Sequence, residues 1–145
     1  MENDFLSKIN NAFGIEEVDL KTYSPLTLAF LGDCVYDLVI RTVLVEEKNR
    51  SVNVLHKDKS NLVCAEKQAL MSKKMKDILT DEEYEIFRRG RNAKTVSHAK
   101  NAGLADYHKA TGFECLIGYL YLEGKTDRIL EIIKYALDEE AETQS

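Results

Sequence analysis

Two acidic residues stand inside apolar stretches of the chain, where an ionised carboxylate is unfavourable unless it is paired or binds a cation. Asp33 lies in LAFLGDCVYD (28–37) and Glu114 lies in ATGFECLIG (110–118). Carboxylates from two neighbouring helices can form a divalent-metal site, because hard cations prefer anionic oxygen ligands. A metal held there can activate water and stabilise charge on a phosphodiester under attack. The residues alone also allow simpler alternatives, in which each carboxylate pairs with a lysine or arginine or lies at a solvated rim of the fold.

Asp37 is a third acidic residue in the same apolar stretch. It follows Asp33 by four residues, so the two side chains share one face of a helix. Arg41 follows Asp37 at the same spacing, which is that of an ion pair along a helix. Asp37 therefore has two roles open to it: binding a water of the metal, or pairing with Arg41. We favour the ion pair.

The elements that would carry these residues are predicted to be helices throughout. The chain contains a single Pro, and no alternating apolar pattern is long enough to predict a strand. The fold class is therefore predicted to be all-α, with Asp33 and Glu114 in two mostly apolar helices. The predicted helices cover Asn3 to about Phe13, Pro25 to Glu47, 51–79, 81–92, 106–124 and Thr126 to Leu137, with a loop over 92–104.

Two helix starts carry clear capping signals. Ser24 followed by Pro25 combines a capping residue with proline at the first helical position. Thr80, with Glu83 three residues later, has the composition of a capping box. Gly124 is a typical residue for the end of the helix that contains Glu114. These signals set the predicted ends of the helices.

Composition indicates one domain with an ordinary core. The chain has 145 residues, of which 44% are hydrophobic, and we expect a single domain over 1–145 with an acidic tail over about 138–145. The three cysteines are far apart with no C-x-x-C pair, so neither a disulfide framework nor a zinc knuckle is indicated, and their apolar neighbours predict buried thiols. The N-terminal residues do not resemble a signal peptide, and no apolar run is long enough for a membrane span. We therefore expect a cytoplasmic protein.

The charge is unevenly distributed along the chain. The formal net charge is −5, yet residues 48–100 contain 13 basic and 7 acidic residues. Residues 86–100 contain five basic residues and no acidic residue. A basic run is most often only a solvated face, but this distribution permits an anionic partner for the middle of the chain. The basic residues of this run are Arg88, Arg89, Arg91, Lys94 and Lys100.

Five short motifs occur in a particular order along the chain. They are Tyr23 with Pro25, FLGDCVYD (30–37), Leu55-His56-Lys57, RRGRNAK (88–94) and ATGFECLIGYLYL (110–122). In these motifs the sequence resembles the ribonuclease III nuclease domain, most closely the short bacterial branch called Mini-ribonuclease III. The resemblance implies an all-α helical bundle of that family, homodimeric through the helix that carries FLGD. It also implies two active sites in one valley that accepts an A-form RNA duplex.

The resemblance assigns roles to the two carboxylates. Asp33 matches the catalytic, metal-binding aspartate of the family, and Glu114 matches its metal-bridging glutamate, with Mg²⁺ as the implied cofactor. Two further carboxylates of the wider family are absent, because this chain has Ala29 and Thr111 at the matching positions. These departures leave open whether one metal or two would bind.

The resemblance also implies where RNA binds. A double-stranded-RNA-binding domain usually follows the nuclease domain in this family, whereas only eight residues follow Leu137 here. We therefore expect the nuclease domain itself to contact phosphates, for which arginine is well suited. The implied activity is cleavage of double-stranded RNA to 5′-phosphate products in maturation of the 23S ribosomal RNA precursor, with a large-subunit ribosomal protein as a partner. The expected RNA-binding residues are Arg88, Arg89, Arg91, Asn92, Lys94, His56 and Lys57.

Two alternatives of other classes stay open at this point. The first is a non-catalytic helical module for RNA binding or assembly, which the missing carboxylates at Ala29 and Thr111 would suit. It predicts salt-dependent duplex binding without metal-dependent products. The second is a helical homodimer that uses the same carboxylates on a small phosphorylated molecule. It predicts that the basic run over 88–94 is dispensable.

Overall fold

The computed structural model of the protein describes residues 5–47, 49–93 and 103–138. These parts contain helices and no strand, which confirms the all-α prediction for the described chain. A short 3₁₀ turn, Leu20–Thr22, precedes the second helix. The helices are α1 (Phe5–Phe13), α2 (Pro25–Glu47), α3 (Val52–Val63), α4 (Ala65–Met75), α5 (Asp81–Arg91), α6 (Leu104–Leu122) and α7 (Thr126–Leu137).

The predicted caps are present at the starts of α2 and α5. The Ser24 hydroxyl accepts a hydrogen bond from the Thr27 backbone N–H at 3.1 Å, and Pro25 opens α2. The Thr80 hydroxyl accepts from the Glu83 N–H at 3.1 Å, and the Glu83 carboxylate accepts from the Thr80 N–H at 2.9 Å. This reciprocal pair is the predicted capping box.

One predicted helix is two helices in the structure. The prediction of a continuous helix over 51–79 is wrong, because Cys64 is extended (φ −68°, ψ 158°) and separates α3 from α4. Apolar residues recur at helical spacing on both sides of this break, so the pattern gave no sign of it. The prediction that all three cysteines are buried is also wrong. Cys115 is buried, whereas Cys34 and Cys64 are exposed.

The core is arranged around α6, which packs against α2, α4, α5 and α7. Its contact with α2 is the most extensive between any two described helices. Tyr36 of α2 is fully buried there; its ring meets the ring of Phe113 edge-on at 5.1 Å, and its hydroxyl donates to the Leu62 carbonyl at 2.7 Å. These contacts fix α2 against α6, which carries Glu114, and against α3.

Three sequence predictions fall on parts of the chain outside the described residues. They concern the cap at Asn3, most of the loop over 92–104, and the acidic tail beyond Asp138. Within the described ranges, no helix is long and apolar enough to span a bilayer.

Several large apolar side chains of α2 are exposed in the monomer. Phe30 is 82% exposed, and further large apolar side chains lie exposed along the same helix. A group of exposed large apolar residues on one helix is consistent with an interaction site. The exposed apolar residues of α2 are Leu26, Phe30, Leu38, Val43 and Val45.

Candidate active site

Two glycines bring the backbones of α2 and α6 into direct contact. A Cβ atom built on Gly32 would lie 1.8 Å from the Glu114 carbonyl oxygen, and one built on Gly118 would lie 2.0 Å from the Leu28 carbonyl oxygen. No side chain fits at either position, so only glycine allows the helices to cross this closely. Asp33 follows Gly32 directly in the sequence. The close crossing therefore places Asp33 beside Glu114.

The Asp33 and Glu114 carboxyl groups interact with each other. Burial, together with the hydrogen bond to Asp33 and the charge of Asp33, raises the pKa of Glu114 to about 8. A hydrogen bond from the Gln68 side chain acts in the opposite direction. Asp33 lies on the exposed side of this pair and Glu114 is partly buried. Two adjacent carboxyl groups of this kind repel each other once both are ionised.

This donor set suits a divalent cation. Within the described ranges, neither Asp33 nor Glu114 forms an ion pair with a lysine or arginine, so their charges are available to a metal. The buried side-chain oxygen of Gln68, Oε1, has no hydrogen-bond partner among the described residues. The described residues contain no cluster of three or more potential ligands of the Asp, Glu, His and Cys types. Mg²⁺ suits such a sparse site, because it retains waters and needs only one or two protein carboxylates.

The positions of the missing family carboxylates are filled by small buried side chains. Ala29 and Thr111 are each 6% exposed. The Thr111 hydroxyl donates to the Tyr107 carbonyl of its own helix at 2.9 Å, so its hydrogen-bonding capacity is used locally. Asp33 and Glu114 are consequently the carboxylates that the described site presents.

Asp37 forms ion pairs rather than joining the carboxylate pair. Its Oδ2 lies 2.7 Å from Nε of Arg41, and its Oδ1 lies 3.7 Å from Nζ of Lys59 on α3. The favoured prediction for Asp37 is therefore the arrangement that the structure contains. Lys59 was not foreseen as a partner, because it lies on a separate helix.

The predicted RNA-binding arginines differ in their surroundings. Arg88 makes two hydrogen bonds to Glu85, with Nε and Oε2 3.0 Å apart, on the exposed surface of α5. Arg91 lies over the Phe87 ring at 5.7 Å, whereas Arg89 is exposed. Glu85 lies just outside the acid-free run 86–100, so the composition of that run gave no sign of this ion pair.

The remaining predicted RNA-binding residues lie on three parts of the chain. Asn92 ends α5, where its N–H donates to the Arg88 carbonyl at 3.0 Å. His56 and Lys57 are exposed on α3. Lys94 lies outside the described residues. An RNA surface that includes both α3 and the basic end of α5 stays a prediction.

Gln68 is a residue of the site that could not be predicted from the sequence. It belongs to no motif, and a glutamine in a charged helical stretch such as AEKQALMSKKM is ordinarily a surface residue. Its burial beside Glu114 depends on the break between α3 and α4, which the sequence pattern did not reveal.

Comparison with known proteins agrees with this geometry. Residues 26–125, which include Asp33 and Glu114, match the Ribonuclease III domain. The chain belongs to the ribonuclease III family. This membership identifies it as an endoribonuclease and confirms the predicted family.

Relatives place the chain in the Mini-ribonuclease III branch. It is 42% identical to Mini-ribonuclease 3 of Thermoanaerobacter sp. (strain X514) over 137 residues, covering 94% of this chain and 96% of the relative. It is 47% identical to Mini-ribonuclease 3 of Brevibacillus brevis over 113 residues, covering 78% and 84% of the two chains. A crystal structure of a Fusobacterium nucleatum protein matches with a TM-score of 0.75 and 33% identity, over 86% of this chain and 99% of that one. The predicted ribonuclease III-like helical bundle is thereby confirmed.

Proposed function

We propose that this endoribonuclease cleaves double-stranded RNA, with Mg²⁺ as its metal and with Asp33 and Glu114 as the catalytic ligands. The observation that carries the proposal is the pair of interacting carboxyl groups at the glycine crossing of α2 and α6. Neither group has a basic partner among the described residues. The pair therefore offers the charge and the oxygen atoms that a hard cation requires.

The residues of the chain have distinct tasks in this mechanism. Asp33, on the exposed side of the pair, faces the substrate, and Glu114 completes the donor set from the buried side. A bound Mg²⁺ supplies activation of water and stabilisation of charge at the phosphodiester. The close helix crossing holds the two carboxyl groups in a fixed relation before substrate binds. Hydrolysis then leaves 5′-phosphate and 3′-hydroxyl ends.

The RNA duplex is proposed to bind along the basic end of α5. Arg89 is exposed, and so is Arg88, which pairs with Glu85 on the same surface. A phosphate can replace Glu85 as the partner of Arg88, because exposed ion pairs are weak. RNA duplexes are recognised mainly through shape and phosphate contacts, to which arginine is suited. The proposed contact residues are Arg88, Arg89, Arg91, Asn92 and Lys94, with His56 and Lys57 on α3.

A homodimer is proposed on the evidence of α2. Its exposed apolar side chains, among them Leu26 and Phe30, would be covered by the same helix of a second copy. Two copies would also supply two active sites, one for each strand of a duplex. The whole chain, 1–145, is proposed to be one nuclease domain.

The biological substrate is proposed from the resemblance to the Mini-ribonuclease III branch. On that basis the protein matures the 23S ribosomal RNA precursor in the cytoplasm, and a large-subunit ribosomal protein assists by shaping the substrate. The catalytic centre itself reads duplex geometry and phosphate charge.

The experiment is cleavage of a long end-labelled RNA duplex in Mg²⁺ or in EDTA. Asp33→Asn is expected to abolish cutting while leaving the fold intact. Asp37→Asn is the matched control, because Asp37 lies one turn further along α2 in ion pairs with Arg41 and Lys59. Discrete Mg²⁺-dependent cuts by the parent and by Asp37→Asn, with no cuts by Asp33→Asn, would support the proposal.

Full activity of Asp33→Asn would refute the assignment of that residue. Binding of the duplex without any metal-dependent cut would instead favour the non-catalytic assembly module.

A further inference from the structure

Gln68 is buried in a way that its own helix does not explain. It is 1% exposed, and the other buried polar side chains of the described core are Ser72 and Thr111. Each of these hydroxyls donates to a backbone carbonyl of its own helix, at 2.7 and 2.9 Å. Gln68 instead donates through Nε2 to the carbonyl of Val63 on α3, at 3.1 Å. Its amide is thus directed away from the backbone of α4.

The Gln68 side chain also interacts with the Glu114 carboxyl group on α6, the helix against which α4 packs. Nε2 of a glutamine carries two N–H donors, while both of its neighbours here, the Val63 carbonyl and the Glu114 carboxylate, are acceptors. The chemistry therefore requires the nitrogen end of the amide to face both groups. One N–H for each acceptor uses the full donor capacity of the side chain.

We propose that Gln68 is a positioning residue of the metal centre, whose amide holds the Glu114 carboxylate in the orientation that binds metal together with Asp33. This inference rests on the proposed function and extends it to a residue outside the carboxylate motifs. The anchor for the amide is Val63, the last residue of α3, at the break before α4. An amide nitrogen that is already anchored to a backbone carbonyl is well suited to fix a second acceptor.

A neutral donor suits this task better than a charged one. A glutamate side chain has several rotatable bonds, and repulsion from Asp33 would turn Glu114 away from the position that a shared metal requires. A lysine at position 68 would hold Glu114, but it would also neutralise the charge that attracts the cation. The amide of Gln68 orients the carboxylate and leaves its charge available.

The contact is tested first without metal or RNA. In EDTA, urea unfolding of Gln68→Met, Glu114→Met and the double variant forms a double-mutant cycle. Gln68→Met removes the Val63 hydrogen bond in both the single and the double variant, so this loss cancels in the cycle. We expect non-additive unfolding midpoints for this pair and additive ones for Ser72→Ala with Glu114→Met. An additive Gln68–Glu114 cycle would overturn the inference.

The consequence for the metal is tested by Mn²⁺ binding, measured from the electron paramagnetic resonance signal of free Mn²⁺ in the absence of RNA. Gln68→Met is expected to weaken Mn²⁺ binding about tenfold, as loss of a group that orients a ligand typically does. Ser72→Ala, a buried polar residue one turn along α4, is expected to bind Mn²⁺ like the parent. Gln68→Leu is the second variant if Gln68→Met does not fold.

Cleavage then separates this inference from the proposed function. Gln68→Met is expected to need about tenfold more Mg²⁺ for half-maximal cutting and to approach the parent rate at saturating Mg²⁺. A parent that binds Mn²⁺ but cuts no duplex refutes the proposed function and leaves the inference standing on the Mn²⁺ result. A parent that cuts, with Mn²⁺ affinity unchanged in Gln68→Met, refutes the inference alone.

Discussion

Gly32 and Glu114 are in backbone contact, and this contact determines the geometry of the site. A Cβ atom on Gly32 would lie 1.8 Å from the Glu114 carbonyl oxygen and 2.8 Å from the backbone nitrogen of Gly118. The residue after Gly32 is Asp33, so the same contact that packs α2 on α6 brings the two carboxyl groups together. Packing of α2 on α6 and the approach of Asp33 to Glu114 therefore both depend on Gly32.

Gly32→Ala is expected to destabilise the protein strongly. The added methyl group would overlap the backbone of α6, so the helices must separate, and we expect the free energy of unfolding to fall by about 3 kcal/mol. Urea denaturation followed by far-UV circular dichroism measures this change. Gly103→Ala is the control, since a Cβ there meets no atom within 4 Å. Equal stability of the two variants would contradict the close crossing.

Phe30→Glu is expected to convert the proposed homodimer into monomers. Phe30 is the most exposed large apolar residue of α2, and a charge at the centre of an apolar interface would be buried without a partner. Sedimentation velocity measures the assembly state directly. Leu70→Glu, at an exposed apolar residue of α4, is the matched control and should leave the dimer intact. A dimer that survives Phe30→Glu would place the interface elsewhere.

Most of the helices, and the presence of one acidic residue in each of two apolar helices, could be predicted from the sequence, because both depend on local signals. Caps at Ser24 and Thr80 set the helix starts, and an acidic residue in an apolar helix is conspicuous at Asp33 and Glu114. The ion pair between Asp37 and Arg41 also follows from spacing along one helix.

What the sequence did not reveal depends on contacts between helices. The break at Cys64 interrupts neither the apolar pattern nor the helix-forming composition, so a single helix over 51–79 was the natural prediction. The burial of Gln68 follows from that break and from the packing of α4 on α6. The pairing of Arg88 with Glu85 was hidden because Glu85 lies just before the acid-free run.

Arg128→Met is expected to destabilise the protein in a pH-dependent way. Hydrogen bonds from the Arg128 guanidinium to Glu83, at 2.9 and 2.7 Å, hold the pKa of that carboxyl below its usual range. Because the folded pKa is lower than the unfolded one, the pair stabilises the protein above the unfolded pKa and loses this contribution as pH falls through the folded pKa. We expect a loss of about 1–2 kcal/mol near neutral pH, because the pair is partly buried and links α7 to α5.

Chemical denaturation of parent and Arg128→Met at several pH values tests this expectation. The stability difference should shrink as pH falls below the ordinary glutamate pKa. Arg41→Met is the control, because Arg41 is half exposed in its i,i+4 pair with Asp37 and should change stability by under about 0.5 kcal/mol. A difference for Arg128→Met that stays constant down to strongly acidic pH would mean that Glu83 is not the partner that matters.

Arg89→Gln is expected to weaken duplex RNA binding without changing the rate of cutting at saturating RNA. Arg89 is exposed at the basic end of α5 and contributes a phosphate contact in the proposed complex. Loss of one such contact reduces the slope of log affinity against log salt by about one. Fluorescence anisotropy with a labelled duplex in Ca²⁺, over a series of KCl concentrations, measures both affinity and slope.

Lys8→Gln is the control for this measurement, because Lys8 is an exposed lysine on α1, outside the predicted RNA-binding residues. It should leave the salt slope unchanged. Arg88→Gln should weaken binding less than Arg89→Gln, because Arg88 must first exchange its contact with Glu85 for one with phosphate. If Lys8→Gln and Arg89→Gln reduced the slope equally, the duplex would not be bound specifically by α5, and the basic run would be a solvated face.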